Sequence, residues 1–283
     1  MRALLQTVEK VLEHDVNVLL LGESGAGKDH LAEAIHACGP RGAKALIRID
    51  CAAIPPDLFE AELFGYEKGT FTDAQSRKVG KLEAANGSTV YFDSIVSLAP
   101  NLQAKLLRAI QEKHFTRLGG NQLIPFDARV LSSSSSGVDG LRRDLLYRIN
   151  VVTLTVPPLR ERREDIPQLA KRFIARRKRG IDAPAMKMLM QHDWPGNVRE
   201  LRNVIERAVL VEPTETITAA SLPPLETDLL GSATMARWTL DQLEERYIRR
   251  ILMDTGENFS RAAEILGINR KTLLEKRRKY GIE

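Results

Sequence analysis

The sequence predicts an α/β chain: a parallel-sheet domain, then a helical subdomain, then a small all-α domain at the end. Three observations predict it. Short apolar, β-rich runs alternate with helical or loop sequence as far as Val156, the pattern of a sheet with helices on both faces. After Pro157-Pro158 the periodicity turns helical, and no strand candidate follows up to Leu210. Near the C-terminus two short helical stretches meet at a glycine, the signature of a helix-turn-helix.

Taken in order, Ala3 to Leu12 reads as an amphipathic helix, and Asn17 to Gly22 as a buried parallel strand that ends in glycine. A helix over Asp29 to Cys38 follows. Ala45–Asp50, Thr89–Asp93, Ala128–Leu131 and Val151–Val156 predict four more strands. The serine run Ser132 to Ser136 comes directly after a strand and predicts a strand-end loop. Ile166 to Leu210 predicts helices broken at Trp194-Pro195-Gly196. Glu212 to Ala236 is rich in Pro, Thr, Ser and Leu, which is linker composition. The expected domains are 1–158 (sheet), 159–222 (helical subdomain), 223–236 (linker) and 237–283 (helix-turn-helix).

Hydrophobic residues make up 43% of the chain and charged residues 28%, enough apolar material for a core and too much for a disordered segment. The net charge of +5 suits a polyanionic partner, and equally a solvated basic surface. Two cysteines, Cys38 and Cys51, give neither a disulfide framework nor a metal spacing. Charges are scattered through the N-terminus, and no stretch is long enough to span a membrane. The expectation is a cytoplasmic protein.

The chemistry concentrates first in Gly22-Glu23-Ser24-Gly25-Ala26-Gly27-Lys28. Set between a buried strand and a helix, this is a P-loop. Its glycines let successive N–H groups turn toward phosphate oxygens, the helix adds the positive end of its dipole, and Lys28 brings a charge to the outer phosphates. The next position usually carries a hydroxyl for magnesium; here it is Asp29, whose carboxylate can serve directly or through water.

GESGAGKD resembles the GESGTGKE loop of sigma-54-dependent activators, the bacterial enhancer-binding proteins of the AAA+ class. Further segments resemble that family in its own order. Asp50-Cys-Ala-Ala-Ile54 is similar to NCAAI, Glu62 to Glu67 to ELFGHE, and Gly69-Thr70-Phe71-Thr72-Asp73-Ala74 to the GAFTGA loop. Gly87 to Ile95 is similar to GGTLFLDEI, and Leu141 to Arg148 to the arginine-finger helix. Pro157-Pro-Leu-Arg-Glu-Arg162 and Trp194-Pro-Gly-Asn-Val-Arg-Glu-Leu201 complete the set. The resemblance implies an AAA+ sheet domain with a helical lid, forming a ring, usually a hexamer, with ATP between neighbours. It implies that Lys28 and Asp93 hold phosphate and magnesium, with Asp29 assisting. Arg142 and Arg148 would reach the neighbour's site as fingers, and Arg199 would sense the γ-phosphate. The loop around Phe71 and Thr72 would touch sigma-54 of the polymerase. Each arginine, taken alone, also reads as a surface salt bridge.

The chain departs from the family where ATP is cleaved. Ser94 stands where the family has the glutamate that polarises water, and a serine is no general base near neutral pH without an activator. Ser135 stands at or near the sensor asparagine, and Asp50 replaces the asparagine that pairs with the glutamate. The contact loop has Thr70 and Asp73, and the loop Gly137 to Gly140 is short. The expectation is ATP binding with slow hydrolysis or none, unless Asp50 or Glu83 substitutes.

At the C-terminus, Trp238 to Met253 is amphipathic, with Leu240, Leu243, Tyr247, Ile251 and Leu252 at helical spacing. Ser260 is positioned to cap a helix over Arg261 to Leu266, Gly267 to end it, and a second helix to start near Arg270. Ala262, Ala263, Ile265, Leu266, Ile268 and Leu273 read as core. Arg270, Lys271, Thr272, Lys276 and Arg277 read as DNA contacts, on a helix with little opposing acid. The segment resembles the Fis-type helix-turn-helix of the same family, which implies dimers and a palindromic site. Two functions stay open: an ATP-driven activator of sigma-54 polymerase, or a DNA-binding regulator whose ATPase domain only gates assembly, acting as repressor or with another sigma factor. A P-loop metabolic kinase would leave the fingers and the DNA-binding end without purpose. No receiver or other sensor segment precedes the P-loop, so the input comes from a partner protein or the chain is a piece of a longer one.

Overall fold

The structure is a computed structural model that describes residues 2–71, 74–174, 180–223, 225, 237–256 and 258–282. Residues 1–177 with 196–206 form one compact unit, and 178–195 with 207–283 form another.

The first unit opens with α1 (Arg2–Leu12), β1 (Val18–Leu21), α2 (Lys28–Ala37), β2 (Leu46–Asp50) and α3 (Pro56–Phe64). A small hairpin, β3 (Gly65–Tyr66) and β4 (Lys78–Val79), leads into α4 (Lys81–Ala84) and β5 (Thr89–Asp93). Then come α5 (Pro100–Glu112), a second hairpin of β6 (His114–Phe115) and β7 (Ile124–Pro125), β8 (Arg129–Ser134), α6 (Arg143–Ile149), β9 (Val152–Thr155) and α7 (Ile166–Ile174). The main sheet runs β2-β5-β8-β1-β9, all parallel. Both faces are covered, as parallel sheets require. Val90 and Phe92 point to one side, with Leu102, Leu106 and Ile110 of α5 and Leu145 and Ile149 of α6. Tyr91 and Leu131 point to the other, with Val8 and Val11 of α1 and Ala32 and Ile35 of α2.

This topology positions the site. Parallel register sets Leu21 beside Ser134 and Asp50 beside Asp93, so β1, β2, β5 and β8 end together at one edge, where open α/β sheets bind ligands. The serine run departs from its expectation: Ser132, Ser133 and Ser134 belong to β8 and are buried. They can stay in the strand because each hydroxyl has a partner: Val18 O, Asp93 Oδ1 and Gly137 O respectively.

The second unit holds β10 (Gly180–Ile181), α8 (Ala183–Gln191), the C-terminal part of α9 (Asn197–Val211) and β11 (Thr216–Ile217). β10 and β11 pair in parallel; β10 lies inside the stretch expected to lack strands, and β11 just beyond it. The chain ends in α10 (Leu240–Asp254), α11 (Phe259–Ile265) and α12 (Arg270–Lys279). No described helix is long and apolar enough to cross a membrane. Most of the expected linker, residues 224 and 226–236, lies outside the described residues.

Candidate nucleotide-binding site

The P-loop takes its shape from backbone that only glycine adopts easily. Gly25 has φ +73°, and a Cβ there would lie 2.4 Å from the Gly196 carbonyl oxygen, so the start of α9 approaches the loop as closely as backbone allows. Val198 N–H donates to Gly25 O at 3.0 Å. Gly27 (φ +103°) precedes α2, whose first residue is Lys28. The buried Lys28 folds over the loop, its Nζ donating to Gly22 O (2.7 Å) and Glu23 O (3.0 Å). Burial pushes the Lys28 ammonium below its ordinary range, and Asp93 and Asp29 oppose that shift.

Above this loop lies a cavity of about 330 Å³. Ser24, Gly25, Gly27, Lys28, Asp29, Asp93, Ser94, Ser135 and Arg199 line it, so residues expected to serve phosphate, magnesium and sensing converge on one space. Arg199 Nη1 donates to Ser24 Oγ at 2.9 Å. Asp93 accepts from Ser133 Oγ at 2.6 Å, and Asp29 from the Tyr91 phenol at 2.8 Å. Two carboxylates beside a lysine form the sparse oxygen donor set that magnesium takes together with phosphate. Gly22, Glu23 and Ala26 belong to the loop without lining the cavity.

Four lining residues carry no role in the sequence reading: His30, Phe173, Val198 and Arg202. Arg202 was findable, three positions beyond Arg199 on the same helix face. A second layer was missed too. Glu23 receives both guanidinium arms of Arg160 (2.8 and 2.6 Å) and Asn197 Nδ2 (3.0 Å). Arg160 holds its carboxyl below the usual carboxylate range. Arg162 Nη2 donates to Ala26 O. The buried Asn197, at φ +55°, also donates to Ser24 O (3.1 Å) and accepts Leu159 N–H (2.8 Å). Its segment, Trp194 to Leu201, was recognised as a motif, but only Arg199 was given a role.

Ser94 stands directly after Asp93 at φ +55° and faces the cavity. Neither expected substitute for a general base is there. Asp50 Oδ1 caps the turn after β2, accepting Ala52 and Ala53 N–H at 3.0 and 3.1 Å. Glu83 is held by Arg117 (2.6 and 3.0 Å) and Arg77 (3.6 Å). Both are absent from the cavity lining. Arg142, the residue that caps the start of α6, and Arg148, near its end, are exposed and also lie outside this cavity. Arg142 pairs with Asp144 at 2.7 Å.

Of the contact loop, Thr72 and Asp73 lie outside the described residues. The rest folds against the β6–β7 hairpin. Thr70 Oγ1 contacts Glu67 O (2.6 Å) and Leu118 O (3.0 Å), and Gly69 N–H donates to Ala74 O at 2.9 Å. Phe71 is 44% exposed, with its ring 4.7 Å from that of Tyr66. Arg117, nearly fully buried, ties Glu67 to Glu83 beneath the loop.

In the C-terminal unit, α11 and α12 meet at Gly267, whose φ of +65° ends the first helix. Several expectations need correcting. The cap of α11 is Asn258, whose side chain accepts Arg261 N–H, so the helix starts at Phe259 and Ser260 lies inside it. Ile265 is 50% exposed; the core is Ile248, Leu252, Ala262, Ala263, Leu273 and Ile282. Leu240 and Tyr247 are exposed, because Ile248 and Leu252, one turn apart, form the buried stripe of α10. Arg270 and Lys271 are exposed at the start of α12. The Thr272 hydroxyl closes the cap on Asn269 (3.0 Å), Lys276 pairs with Glu244 (2.6 Å), and Arg277 Nε donates to Ile282 O (2.7 Å). The exposed basic side chains of α12 are Arg270, Lys271, Arg278 and Lys279, the last of them paired with Asp241 at 2.9 Å.

Comparison with known proteins places this arrangement. A family described as the Sigma-54 interaction domain matches residues 1–155, the AAA+ ATPase lid domain matches 160–230, and the Bacterial regulatory protein, Fis family, matches 239–280. Transcriptional regulatory protein ZraR of Salmonella typhimurium is 42% identical over 295 residues, covering 98% of this chain and 66% of its own length. Alginate biosynthesis transcriptional regulatory protein AlgB of Pseudomonas syringae pv. tomato is 40% identical over 296 residues, covering 100% and 66%. The chain thus spans about two thirds of the length of these curated relatives. The crystal structure of NtrX from Brucella abortus in complex with ATP superposes with a TM-score of 0.72 at 35% identity, covering 100% of this chain and 68% of that one. A RuvB mutant from Thermotoga maritima, at 17% identity and TM-score 0.54, shares the fold (97% of this chain, 81% of that one). With all three parts matched in order, the chain belongs to the sigma-54 interaction family of AAA+ transcription regulators that carry a Fis-type helix-turn-helix.

Proposed function

We propose that this chain binds ATP with magnesium and binds DNA upstream of a promoter through its helix-turn-helix. It couples nucleotide state to sigma-54 RNA polymerase, and it works in the cytoplasm, where these partners are. Lys28 and the loop N–H groups take the phosphates, and Asp93 with Asp29 would hold magnesium, which supplies charge neutralisation at the phosphate oxygens. Arg199 and Arg202 reach the outer phosphate from α9. Dimers assemble into a ring, expected as a hexamer, and the exposed Arg142 and Arg148 reach a neighbour's nucleotide.

The observation that carries the catalytic part is Ser94 in the cavity, with Asp50 and Glu83 engaged elsewhere. It favours a second reading, in which the chain binds ATP, barely hydrolyses it, and regulates as a repressor or with another sigma factor. Transcription in vitro from a sigma-54 promoter, with the full chain and ATP, separates the two. ATP-dependent open-complex formation supports the activator. DNA and ATP binding without it supports the degenerate regulator. Failure to bind ATP at all contradicts both.

A further inference from the structure

Between the P-loop and the end of β5 lies a set of hydroxyls that the roles above leave unused. Tyr91 is fully buried in β5, on the sheet face covered by α1 and α2. A phenol there needs a partner for its O–H, and it donates to Asp29 Oδ1 at 2.8 Å. Arg48 lies over the same ring, 5.6 Å from its centroid, and sits 3.3 Å from Asp29 Oδ2. Ser133 of β8, equally buried, donates to Asp93 Oδ1 at 2.6 Å and accepts Ser94 N–H at 3.1 Å. The GGTLFLDEI segment that Gly87 to Ile95 resembles has phenylalanine at the place of Tyr91, so this hydroxyl distinguishes the chain from that pattern. The result is two buried hydroxyls, Tyr91 and Ser133, each gripping one oxygen of a half-buried carboxylate, Asp29 and Asp93, beside Lys28.

We infer that Tyr91 and Ser133 are positioning residues that preset Asp29 and Asp93 as a magnesium-binding pair for bound nucleotide; this rests on the nucleotide-site reading above. Magnesium demands near-ideal octahedral geometry and gives up its water reluctantly. A carboxylate already fixed in rotation loses less freedom on meeting the ion or its water shell. Groups that orient ligands in this way commonly tune metal affinity about tenfold or more. Neither hydroxyl lines the cavity itself, so their removal leaves the phosphate contacts of Lys28 and the loop in place.

The test is titration of the full chain with a fluorescent ADP analogue, in EDTA and in saturating magnesium. The variants are Tyr91→Phe, which keeps the buried ring, and Ser133→Ala. The expected result is that each lowers the gain in affinity due to magnesium by about tenfold, while metal-free affinity stays within about twofold of wild type. An unchanged magnesium gain in both variants overturns the inference. So does equal loss with and without the ion, which would mark a merely structural role. A wild-type chain that binds no nucleotide under either condition overturns the nucleotide-site reading, and this inference with it.

Discussion

Replacing Asn197 by alanine should cost the sheet-bearing unit several kcal/mol, and the sum can be worked from its partners. Asn197 Nδ2 donates to the Glu23 carboxylate, a charge-assisted bond contributing about 2 kcal/mol. Its Oδ1 accepts a buried N–H from Leu159, and leaving that donor without a partner costs about 1–3 kcal/mol. Its φ of +55° suits asparagine better than alanine, adding roughly 1 kcal/mol. Together these predict a loss of about 4–6 kcal/mol. At about 2–4 °C per kcal/mol for a domain of this size, that is roughly 8–24 °C in Tm. Thermal unfolding of the wild type and Asn197→Ala at pH 7 checks it. Asn197→Asp keeps the acceptor for Leu159 but sets a second carboxylate against Glu23, so it should be no better at pH 7 and should recover in acid. A fall of less than about 2 °C for the alanine variant would refute the idea that this residue fastens the P-loop to α9.

Three further outcomes are expected. The folded-state pKa of Glu23 is lowered, first by Arg160, so its contribution to stability is complete above the ordinary carboxylate pKa and is lost as pH falls through the lowered folded value. The Tm gap between wild type and Glu23→Gln should therefore be steady from pH 7 to about pH 5 and close below about pH 4; a gap that widens in acid contradicts this. If Arg199, which lines the cavity and donates to Ser24 Oγ, serves as the proposed γ-phosphate sensor, Arg199→Ala should weaken ATP binding by about tenfold and ADP binding much less; equal losses in titration would refute the sensing role. In DNA-binding titrations across salt, Arg270→Ala and Lys271→Ala should each reduce the slope by about one unit, whereas Lys276→Ala should leave the slope and instead lower Tm, since Lys276 is paired with Glu244.

Much of the fold was legible because its signals are periodic. Parallel strands buried on both faces read as apolar runs, and a P-loop needs glycines at fixed spacing because its backbone does. What stayed hidden lacked a local signal. The β6–β7 hairpin has two residues per strand, too few for any period. Ser132 to Ser134 read as a loop because nothing local reveals partners that arrive from Val18, Asp93 and Gly137. Asn258 and Ser260 are both good N-caps two residues apart, and only the bond to Arg261 N–H chooses between them. On charge alone Lys276 and Arg277 point to DNA; their positions on α12 turn them toward Glu244 and Ile282. Tyr91 lies within the apolar run Thr89–Asp93 and is buried as that run predicts, but its hydroxyl bonds Asp29, which hydrophobic patterning cannot register.

On this reading the P-loop site holds ATP but lacks the group that activates water, since Ser94 follows Asp93 in the cavity. Phosphate release from saturating ATP, compared between the full chain and its Ser94→Glu variant, tests it most directly. The predicted result is turnover at least about a hundredfold slower in the wild type than in the variant, with ATP bound by both. Wild-type release as fast as that of Ser94→Glu would contradict it.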